Sequence, residues 1–575
     1  MKKKLLYILM IPVFMFTTSC NEDEFLTQVN PNSITTDVYW ETSDDFEKGL
    51  YTVYGALQFP SISGAQFTNN WVMGDLAGAE SWMKTFEFVT LNFNDASEHV
   101  KNKWNELYVG IFRANQVIEY IQDAEISSSE KALIVAQARF LRAFFYFELA
   151  HSYGGAVIHT VVPVTDEDFQ KAFDSIDKVT TDVIIPDLEF AKANLEGVEW
   201  TGDDLGRATW GAATALMGKV YLYNKDWVNA ADEFKKIIDS GIYSLTPDFM
   251  DNFTDENEFN SESIFEVAYS AVAGDTGANG NNIDTTPNEI GSEANTIDAK
   301  VGQLNSGGYN EVLGSYYLHE LLYNDEIDPT KGINNGFTQS QRMYASVLTK
   351  DGDGSYFSVP VTELKGFGFA QTAYVKKYTN WYQYDLINTT NPRSGINIRH
   401  IRYSDVLLMY AEAILNAQGD AAAAEALTYI DRIRARAGVV TLQDYLNNNA
   451  NTFPAMHVSK VVNGAYNLVA PTADNLLTHI MMVERPIELC FEGHRWKDLT
   501  RWGIVKEVLT ARRADELWLL ANWDAIMNTA PFYFVDEAQK VRTDYAVCAA
   551  SYTPSAHDYL PIPTDERQIN SALGN

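Results

Sequence analysis

Two helices joined by a short turn are predicted between residues 211 and 245, and this pair constrains the fold more than any other stretch. The sequence there is GAATALMGKVYLYNKDWVNAADEFKKIIDSGIYSL. Small residues at Gly218 and Ala230 let the two helices approach closely, and the rings of Tyr221 and Phe234 fill the gaps beside them. A chain organised around such a pair is expected to be mainly helical.

These positions follow the tetratricopeptide pattern, although Met217 replaces the usual Leu and Ile242 stands where the final Pro is expected. A second unit is predicted at residues 403–437, where the same parts are played, around the turn at Gly419-Asp420, by Ala411, Ala423 or Ala424, and Leu427. Two units are too few for a free-standing solenoid, so other helices must stack against them.

Helical periodicity before residue 200 supplies those partners, with helical pairs predicted at residues 40–124 and 129–195. Residues 246–400 differ, because they are rich in Gly, Asn and Thr and have little periodicity. We predict loops there, and again at 440–475 and 510–560. The fold class is therefore mainly α, a tetratricopeptide-like scaffold of helical pairs with long loop-rich insertions.

The first twenty residues predict export. MKKK is positively charged, and the twelve apolar residues from Leu5 to Phe16 are too few to span a bilayer, so residues 1–19 form a secretory signal. The following Cys20 ends the sequence TTSC, which resembles the lipobox of bacterial lipoproteins. That resemblance implies cleavage before Cys20 and acylation of its thiol. The alternative is an ordinary signal followed by a chance cysteine.

Residues 20–36 are polar and are predicted to be a lipid-anchored tether. The acids directly after Cys20 resemble the export signal that sends some lipoproteins to the outer face of the outer membrane. The expected location is therefore the outer membrane, with the protein facing the cell exterior.

The charge balance argues against two classes of partner. Lys and Arg number 43 against 77 Asp and Glu, which gives a net charge of −34. Such an acidic surface repels phosphate backbones, so nucleic acid is not an expected partner. It also disfavours docking on anionic lipid through a basic patch. The lipid anchor is the only predicted attachment to a membrane.

Neither a metal nor a cofactor is expected. The remaining cysteines are Cys490 and Cys548; one disulfide is possible in an exported protein, but Cys490 lies in an apolar helical run typical of a buried thiol. The nine His fall in no ligand spacing, and GFGFAQ lacks the third Gly of a dinucleotide loop. KDGDGS fails the EF-hand pattern.

The stretch ERPIELCFEGHRWKDLTRWG, residues 484–503, admits two interpretations. It holds two Trp, a Cys, a His, four acids and four bases. One interpretation makes its acid and base groups catalytic, namely Glu488, Glu492, His494 and Asp498. The other pairs the same charges inside the fold. Counting cannot exclude a carboxylate pair for glycoside hydrolysis, because the chain has too many acids.

Five aromatic residues lie outside the predicted helical periodicity. Trp71 and Trp82 are in NNWVMGDLAGAESWMK, amid Gly and Asn, while Trp381, Tyr382 and Tyr384 are in TNWYQYD beside a loop. Flat aromatic faces with polar neighbours suit sugar rings, whose C–H faces are apolar and whose edges need hydrogen bonds. We predict ligand contacts by Trp82 and Trp381 first, and by the other three as lesser candidates. The alternative is that these aromatics pack within the loops.

Six stretches in this order resemble the SusD/RagB family of outer-membrane lipoproteins from glycan-foraging Gram-negative bacteria. They span nearly the whole mature chain and are DVYWETSDDFEKGLYTVYGAL, QARFLRAFFYFELAHSYGG, GRATWGAATALMGKVYLYNKDWVNAADEFKKII, IRYSDVLLMYAEAILNAQGD, ERPIELCFEGHRWKDLTRWG and YLPIPTDERQIN. The resemblance implies a tetratricopeptide-like scaffold whose loops form a nutrient-binding face. It also implies a partner, the TonB-dependent transporter of SusC type, over which the binding protein sits as a lid.

The resemblance also favours the structural interpretation of residues 484–503, because the matching family stretch lies in the helical scaffold. Its charges would then pair internally, Trp496 and Trp502 would pack, and no catalytic residue would be present. Three regions are expected in the mature chain: an N-terminal helical region at 37–245, a loop-rich insertion at 246–400 that contributes to the ligand face, and a C-terminal region at 401–575.

The predicted function is capture of an oligosaccharide and its delivery to the transporter, without bond breaking. The leading rival is a peptide ligand, since part of the family resembles peptide-uptake lids of the RagB type. A secreted glycoside hydrolase is the rival from another class; it is disfavoured because the family motifs leave no separate segment long enough for a catalytic domain.

Overall fold

The computed structural model describes residues 39–80, 82–272, 293–365, 373–383, 387, 393–526 and 544–573. Within these ranges the chain is mainly helical, as predicted, with short strands concentrated in its middle. The predicted signal, Cys20 and the tether lie outside the described residues. Among the helices in the described ranges, none combines the length and the apolar character needed to cross a membrane.

The N-terminal helices begin at polar caps. Thr42 and Ser127 each start a helix with a capping box, in which the cap hydroxyl accepts a backbone N–H and an acid three residues on accepts the cap N–H. Gly154 ends its helix at φ +81°, a left-handed conformation that glycine adopts without strain. The helices are α1 (Ser43–Ala56), α2 (Phe86–Thr90), α3 (Glu98–Tyr120), α4 (Ser128–Tyr153), α5 (Ile176–Val179), α6 (Ile185–Leu195), α7 (Trp210–Tyr223) and α8 (Trp227–Ser240).

Helices pack closely where a glycine faces an aromatic ring. A Cβ atom at Gly218 of α7 would lie 2.6 Å from the ring of Phe234 in α8, and one at Gly110 of α3 would lie 2.6 Å from the ring of Phe145 in α4. No larger residue fits at either point, so these glycines set the distance between the paired helices. The helical pair predicted at 211–245 is confirmed as α7 and α8.

The middle and C-terminal regions contain shorter helices, apart from the second predicted pair and α19. The pair at 403–437 is confirmed as α12 and α13. The helices are α9 (Ile297–Val301), α10 (Tyr316–Tyr323), α11 (Gln341–Ser346), α12 (Tyr403–Gln418), α13 (Ala423–Arg436), α14 (Leu442–Asn448), α15 (Lys460–Asn463), α16 (Ala473–His479), α17 (Arg485–Leu489), α18 (Arg495–Trp502), α19 (Val505–Ala521), α20 (Trp523–Ile526), α21 (Tyr545–Ser551), α22 (Pro554–His557) and α23 (Thr564–Ile569).

The loop predicted at 510–560 is wrong where α19 and α21 occupy it. The buried face of α19 includes Leu509, Arg512, Glu516 and Leu519, which recur three or four positions apart. Two of these four are charged, so the helical period is hidden from a search for apolar residues.

The strands form one sheet of four strands and several pairs. In the larger sheet the order is β1 (Ala77–Gly78), β5 (Leu313–Gly314), β9 (Ala373–Val375) and β6 (Val347–Thr349), and every neighbouring pair is antiparallel. The first of these strands comes from the N-terminal region and the other three from the middle of the chain. The strands are β1 (Ala77–Gly78), β2 (Gly155–Val157), β3 (Phe173–Ser175), β4 (Ser263–Val267), β5 (Leu313–Gly314), β6 (Val347–Thr349), β7 (Ser355–Tyr356), β8 (Val359–Pro360), β9 (Ala373–Val375), β10 (Ile398–Arg402), β11 (Phe453–Pro454) and β12 (Leu468–Val469).

Buried apolar side chains form a main core through the helical scaffold and a second, smaller core at the four-stranded sheet. The smaller core includes Leu313, Leu348, Tyr356, Tyr374 and Trp381. It gives the loop-rich middle of the chain its own hydrophobic centre, which fixes the loops that surround it.

Candidate functional site

Trp82 lies on the loop that leaves the edge of the four-stranded sheet and enters α2. The preceding strand β1 pairs with β5, with Ala77 opposite Gly314 and Gly78 opposite Leu313. The Trp82 side chain is 72% exposed, the most exposed Trp of the described residues. The sheet therefore presents this indole to solvent, beside loops from residues 300–314.

The side chains around Trp82 carry hydrogen-bonding groups. The Thr85 hydroxyl donates to Glu311 Oε2 at 3.3 Å, and Lys300 Nζ lies 3.2 Å from the same oxygen. Lys84 Nζ pairs with Glu98 Oε2 at 2.7 Å, and this hydrogen bond raises the pKa of Lys84. We name the Trp82 face from Trp82, Lys84, Tyr309 and Glu311; Thr85 itself is buried.

We include Tyr309, which was not predicted from the sequence, because it precedes β5, the strand that pairs with β1. Tyr309 lies two residues before Glu311 and is 44% exposed. Its backbone N–H donates to Ala299 O at 2.7 Å. Its sequence context, SGGYN, is as rich in Gly and Asn as that of Trp82. An aromatic residue in a segment rich in Gly and Asn is the same signal that indicated Trp82, so this signal also indicates Tyr309.

Trp381 belongs to the same sheet unit but lies inside it. Its side chain is 6% exposed and contacts Tyr344 edge to face, with ring centroids 5.4 Å apart. Lys376 Nζ lies 3.7 Å from the Trp381 ring centroid and 3.8 Å from that of Tyr344, and burial lowers the pKa of Lys376 to about 7. The ring is therefore packed, as in the alternative interpretation, because residues distant in sequence enclose it. Ligand contact by Trp381 stays a prediction.

Trp71 is also buried, at 3% exposure. Its ring lies 5.7 Å from that of Tyr378 and 5.9 Å from that of Phe491, within the main core. Helical periodicity around residue 71 gave no sign of this, because both partners lie hundreds of residues later in the chain. Trp71 is therefore a packed residue, as in the alternative interpretation, and ligand contact by it stays a prediction.

The two tyrosines predicted near Trp381 have different outcomes. The Tyr382 hydroxyl donates to Asp255 Oδ1 at 2.5 Å and accepts the Asp255 N–H at 3.1 Å; burial and this carboxylate raise its pKa. Its polar end is thus fixed to a neighbouring loop, although its ring is only partly buried. Tyr384 lies outside the described residues.

The charged stretch at 484–503 is internal, as predicted. Each of its four acids and four bases has an ion-pair partner, most of them elsewhere in the fold. The two tryptophans also bond internally: Trp496 Nε1 donates to Asp558 O at 3.2 Å, and Trp502 Nε1 donates to Glu412 Oε1 at 2.8 Å.

Arg402 connects three of the buried carboxylates in this network. Its guanidinium lies 2.6 Å from Glu262, 3.2 Å from Glu488 and 2.8 Å from Glu492. Burial alone would raise the pKa of Glu492, but Arg402 and Lys377 hold it below its usual value. These carboxylates are paired with cations and buried, so they are placed as structural groups.

His494, the possible base of the catalytic interpretation, is also enclosed. Burial, followed by the nearby Lys219, lowers its pKa to about 4, and its Nδ1 lies 3.4 Å from Lys219 Nζ. It is neutral at pH 7. The cavity that it lines with Lys219 and Glu492 has a volume of about 20 Å³, which is room for about one water and not for a sugar ring.

The two described cysteines are free and buried. Burial raises the pKa of Cys548 to about 12 and also raises that of Cys490, so both are protonated thiols. Within the described ranges no three His, Cys, Asp or Glu side chains are grouped so that they could hold a metal ion.

The comparisons with known proteins agree over nearly the whole chain. The family model described as the SusD family matches residues 261–575, and one described as starch-binding and associating with the outer membrane matches residues 24–222. A SusD-like protein P25 of Formosa agariphila is 22% identical over 98% of this chain and 97% of its own length.

Solved structures show the same fold. A SusD superfamily protein from Bacteroides vulgatus superposes with a TM-score of 0.71, covering 93% of this chain and 98% of its own at 22% identity. The surface glycan-binding protein A of Bacteroides thetaiotaomicron, solved with laminarihexaose, superposes with a TM-score of 0.62 over 92% and 98% at 20% identity.

Proposed function

Because this chain belongs to the SusD family, we propose that it binds oligosaccharide at the Trp82 face and delivers it to a SusC-type TonB-dependent transporter. The observation that carries the proposal is the 72% exposure of Trp82 beside hydrogen-bonding side chains. An indole face complements the C–H face of a sugar ring, while amines, hydroxyls and carboxylates at its edge take the sugar hydroxyls. Binding, without bond breaking, is the proposed activity.

The charges of the Trp82 face favour a neutral glycan. Lys84 is paired with Glu98, and Lys300 is paired with Glu311. The two ammonium groups are thus already matched by carboxylates, so the face offers hydrogen bonds instead of net positive charge. A neutral glucan of the laminarihexaose type, with which a relative of the same fold was solved, is a suitable first probe.

We place the protein on the outer face of the outer membrane, held by acyl groups on Cys20. The lipobox-like TTSC and the following acids support this, and one matching family description mentions the outer membrane. Two or three acyl chains anchor a protein stably where one does not. With the anchor at its N-terminus, the folded chain can sit over a membrane-embedded transporter.

The test is a binding screen on protein that lacks residues 1–20. Laminari-, malto-, cello- and xylo-hexaose represent neutral glycans, and a mixed peptide library represents the peptide-uptake alternative. We expect saturable binding of at least one hexaose, with no shorter product released during incubation. Saturable binding of peptides, without binding of any hexaose, would show that the ligand is a peptide and not an oligosaccharide. Release of shorter sugars that Glu492→Gln abolishes would make the protein a hydrolase.

A further inference from the structure

Apart from the Trp82 face, the helical side of the chain has a cavity, which lies between the α6–α7 connection and the segment from Tyr243 to Glu266. Its volume is about 610 Å³, within the range of small-molecule sites. Five aromatic residues line it: Trp200, Trp210, Tyr243, Phe259 and the buried Phe265. We propose that this cavity, the Trp210 pocket, is a second site for neutral saccharide, built from elements that the Trp82 face does not use.

The rings of the Trp210 pocket differ from the buried tryptophans in their surroundings. Trp71 and Trp381 are enclosed by other aromatic rings. Trp210, Tyr243 and Phe259 are each only partly buried; Trp210 and Tyr243 pack against the main core on one side, and all three line the cavity. Their apolar surface therefore borders the cavity, where a sugar ring can reach it.

One wall of the pocket is fixed before any ligand arrives. Trp200 Nε1 donates to Ala208 O at 2.8 Å, which closes the loop between them. The guanidinium of Arg207 lies 5.2 Å from the Trp200 ring centroid and 2.8 Å from Glu47 of α1. The Trp200 ring is thus held in place by α1, and binding would cost little ordering of this wall.

The facing wall is fixed by a strained residue. Phe259 has φ +50°, an unusual conformation for an aromatic residue, and its N–H donates to Glu266 Oε1 at 2.5 Å. A Cβ atom at Gly206 would lie only 3.0 Å from the Phe259 ring. Strain of this kind persists where the surroundings impose it, and such positions cluster at ligand sites. Here it holds the ring at the mouth of the cavity.

Hydroxyl groups supply the polar part of the pocket. The Tyr243 ring covers Gly211, where a Cβ atom would meet it, and its hydroxyl lies 3.4 Å from that of Thr209. Ser240 and Ser263 line the same cavity. Neutral hydroxyls beside aromatic rings match an uncharged polar ligand with apolar faces better than they match a lipid chain.

The charges around the pocket exclude an acidic sugar as the preferred ligand. Glu196 and Glu199 line it and are exposed, whereas its cation, Arg207, is already paired with Glu47 and Asp204. A uronate or sulfate would meet carboxylates with no unpaired cation in return. The ligand class is therefore a neutral oligosaccharide, and a long polymer that engages both sites would bind with added avidity.

The direct test is ¹⁹F NMR of the protein labelled with 5-fluorotryptophan. The chain has 12 Trp, and Trp82→Phe and Trp210→Phe identify the two resonances. We expect the Trp210 resonance to move with one or more of the four neutral hexaoses, and to do so equally in the Trp82→Phe variant. A Trp210 resonance that none of the hexaoses moves overturns the second site. If the Trp82 resonance moves and the Trp210 resonance does not, the second site is overturned but the proposed function is not. If only the Trp210 resonance moves, the sugar binds in the pocket and not at the Trp82 face.

A matched pair of variants tests the consequence for long glycans. Trp210 and Trp227 are each the first residue of a helix and each partly buried, but only Trp210 lines the pocket. We expect Trp210→Ala to weaken retention in gels that contain the polymeric form of the bound hexaose by about fivefold or more, because an aromatic anchor is lost. Trp227→Ala should leave retention unchanged. Equal retention of both variants and the wild type contradicts the proposal.

Discussion

Lys376 places its ammonium nitrogen 3.7 Å from the centre of the Trp381 ring, and both side chains are buried. A desolvated cation–π contact of this kind is stronger than an exposed one. The pair fixes Trp381 within the small core of the four-stranded sheet and leaves Trp82, on the edge of the same sheet, as the exposed indole. Of these two tryptophans, Trp381 is buried in the small core and Trp82 is exposed to solvent.

Trp381→Ala should lower the free energy of unfolding by about 3–5 kcal/mol, because it removes a buried ring and leaves Lys376 without one of its two aromatic partners. Trp82→Ala is the control, since truncating an exposed side chain usually changes stability by about 0.5 kcal/mol or less. Urea unfolding of both variants measures the difference. Equal midpoints for Trp381→Ala and the wild type would contradict the burial of this ring.

Arg402→Met should destabilise the protein by about 3–5 kcal/mol, because it leaves the buried carboxylates of Glu262, Glu488 and Glu492 with fewer cations. Lys48→Met is the matched control, since the Lys48–Asp44 pair is exposed to solvent and such pairs contribute little to stability. Denaturant unfolding compares them. An effect of Arg402→Met no larger than that of Lys48→Met would show that the buried network is not needed for stability.

Asp298 gives stability a pH dependence. Burial raises its pKa from 3.8 to about 7, so between about pH 4 and pH 7 the native state keeps a proton that the unfolded state has lost. The free energy of unfolding therefore falls as pH rises through this window and stays lower above it. In the wild type this carboxyl lowers the free energy of unfolding between pH 4 and pH 8. In Asp298→Asn, which has no carboxyl at this position, we expect the decrease over the same pH range to be smaller by about 1–3 kcal/mol.

The measurement for Asp298 is urea unfolding at pH 4, 6 and 8, with Asp123→Asn, an exposed acid, as the control. Parallel pH profiles for Asp298→Asn, Asp123→Asn and the wild type would mean that the Asp298 carboxyl is not protonated in the native state.

Cys20→Ala should release the protein from the membrane, because the acyl groups are the only proposed attachment. Fractionation of cells that express the full chain, with and without detergent, measures this. Cys548→Ala, which changes another cysteine, is the control and should remain in the membrane fraction. A Cys20→Ala protein that still needs detergent for extraction would contradict the proposed lipid anchor at Cys20.

The helical scaffold was predictable because its information is local. The spacing of Gly218, Ala230 and Phe234 predicts a close helical pair, and the structure has one, with Phe234 against Gly218. Helix α19 was missed because Arg512 and Glu516 occupy its buried face. Buried charges break the apolar period on which such predictions depend.

The environments of the tryptophans could not be predicted, because they depend on contacts between distant segments. Trp71 is enclosed by Tyr378 and Phe491, and nothing in the sequence near residue 71 indicates either partner. The pairing of β1 with β5 joins Ala77 to Gly314 and so places Tyr309 in the loops next to Trp82. Local sequence identified aromatics outside helices, but only the fold distinguishes those that pack from those that face solvent.

The most direct test of the account is the affinity of Trp82→Ala for the hexaose that the wild type binds, measured by isothermal titration calorimetry beside its thermal stability. Truncation of an aromatic anchor costs roughly 2 kcal/mol or more, so we predict at least a roughly thirtyfold weaker Kd at an unchanged melting temperature. Trp82→Phe keeps an aromatic face and should retain part of the affinity. A Trp82→Ala protein that folds and binds the hexaose as tightly as the wild type would contradict the proposal that this face holds the sugar.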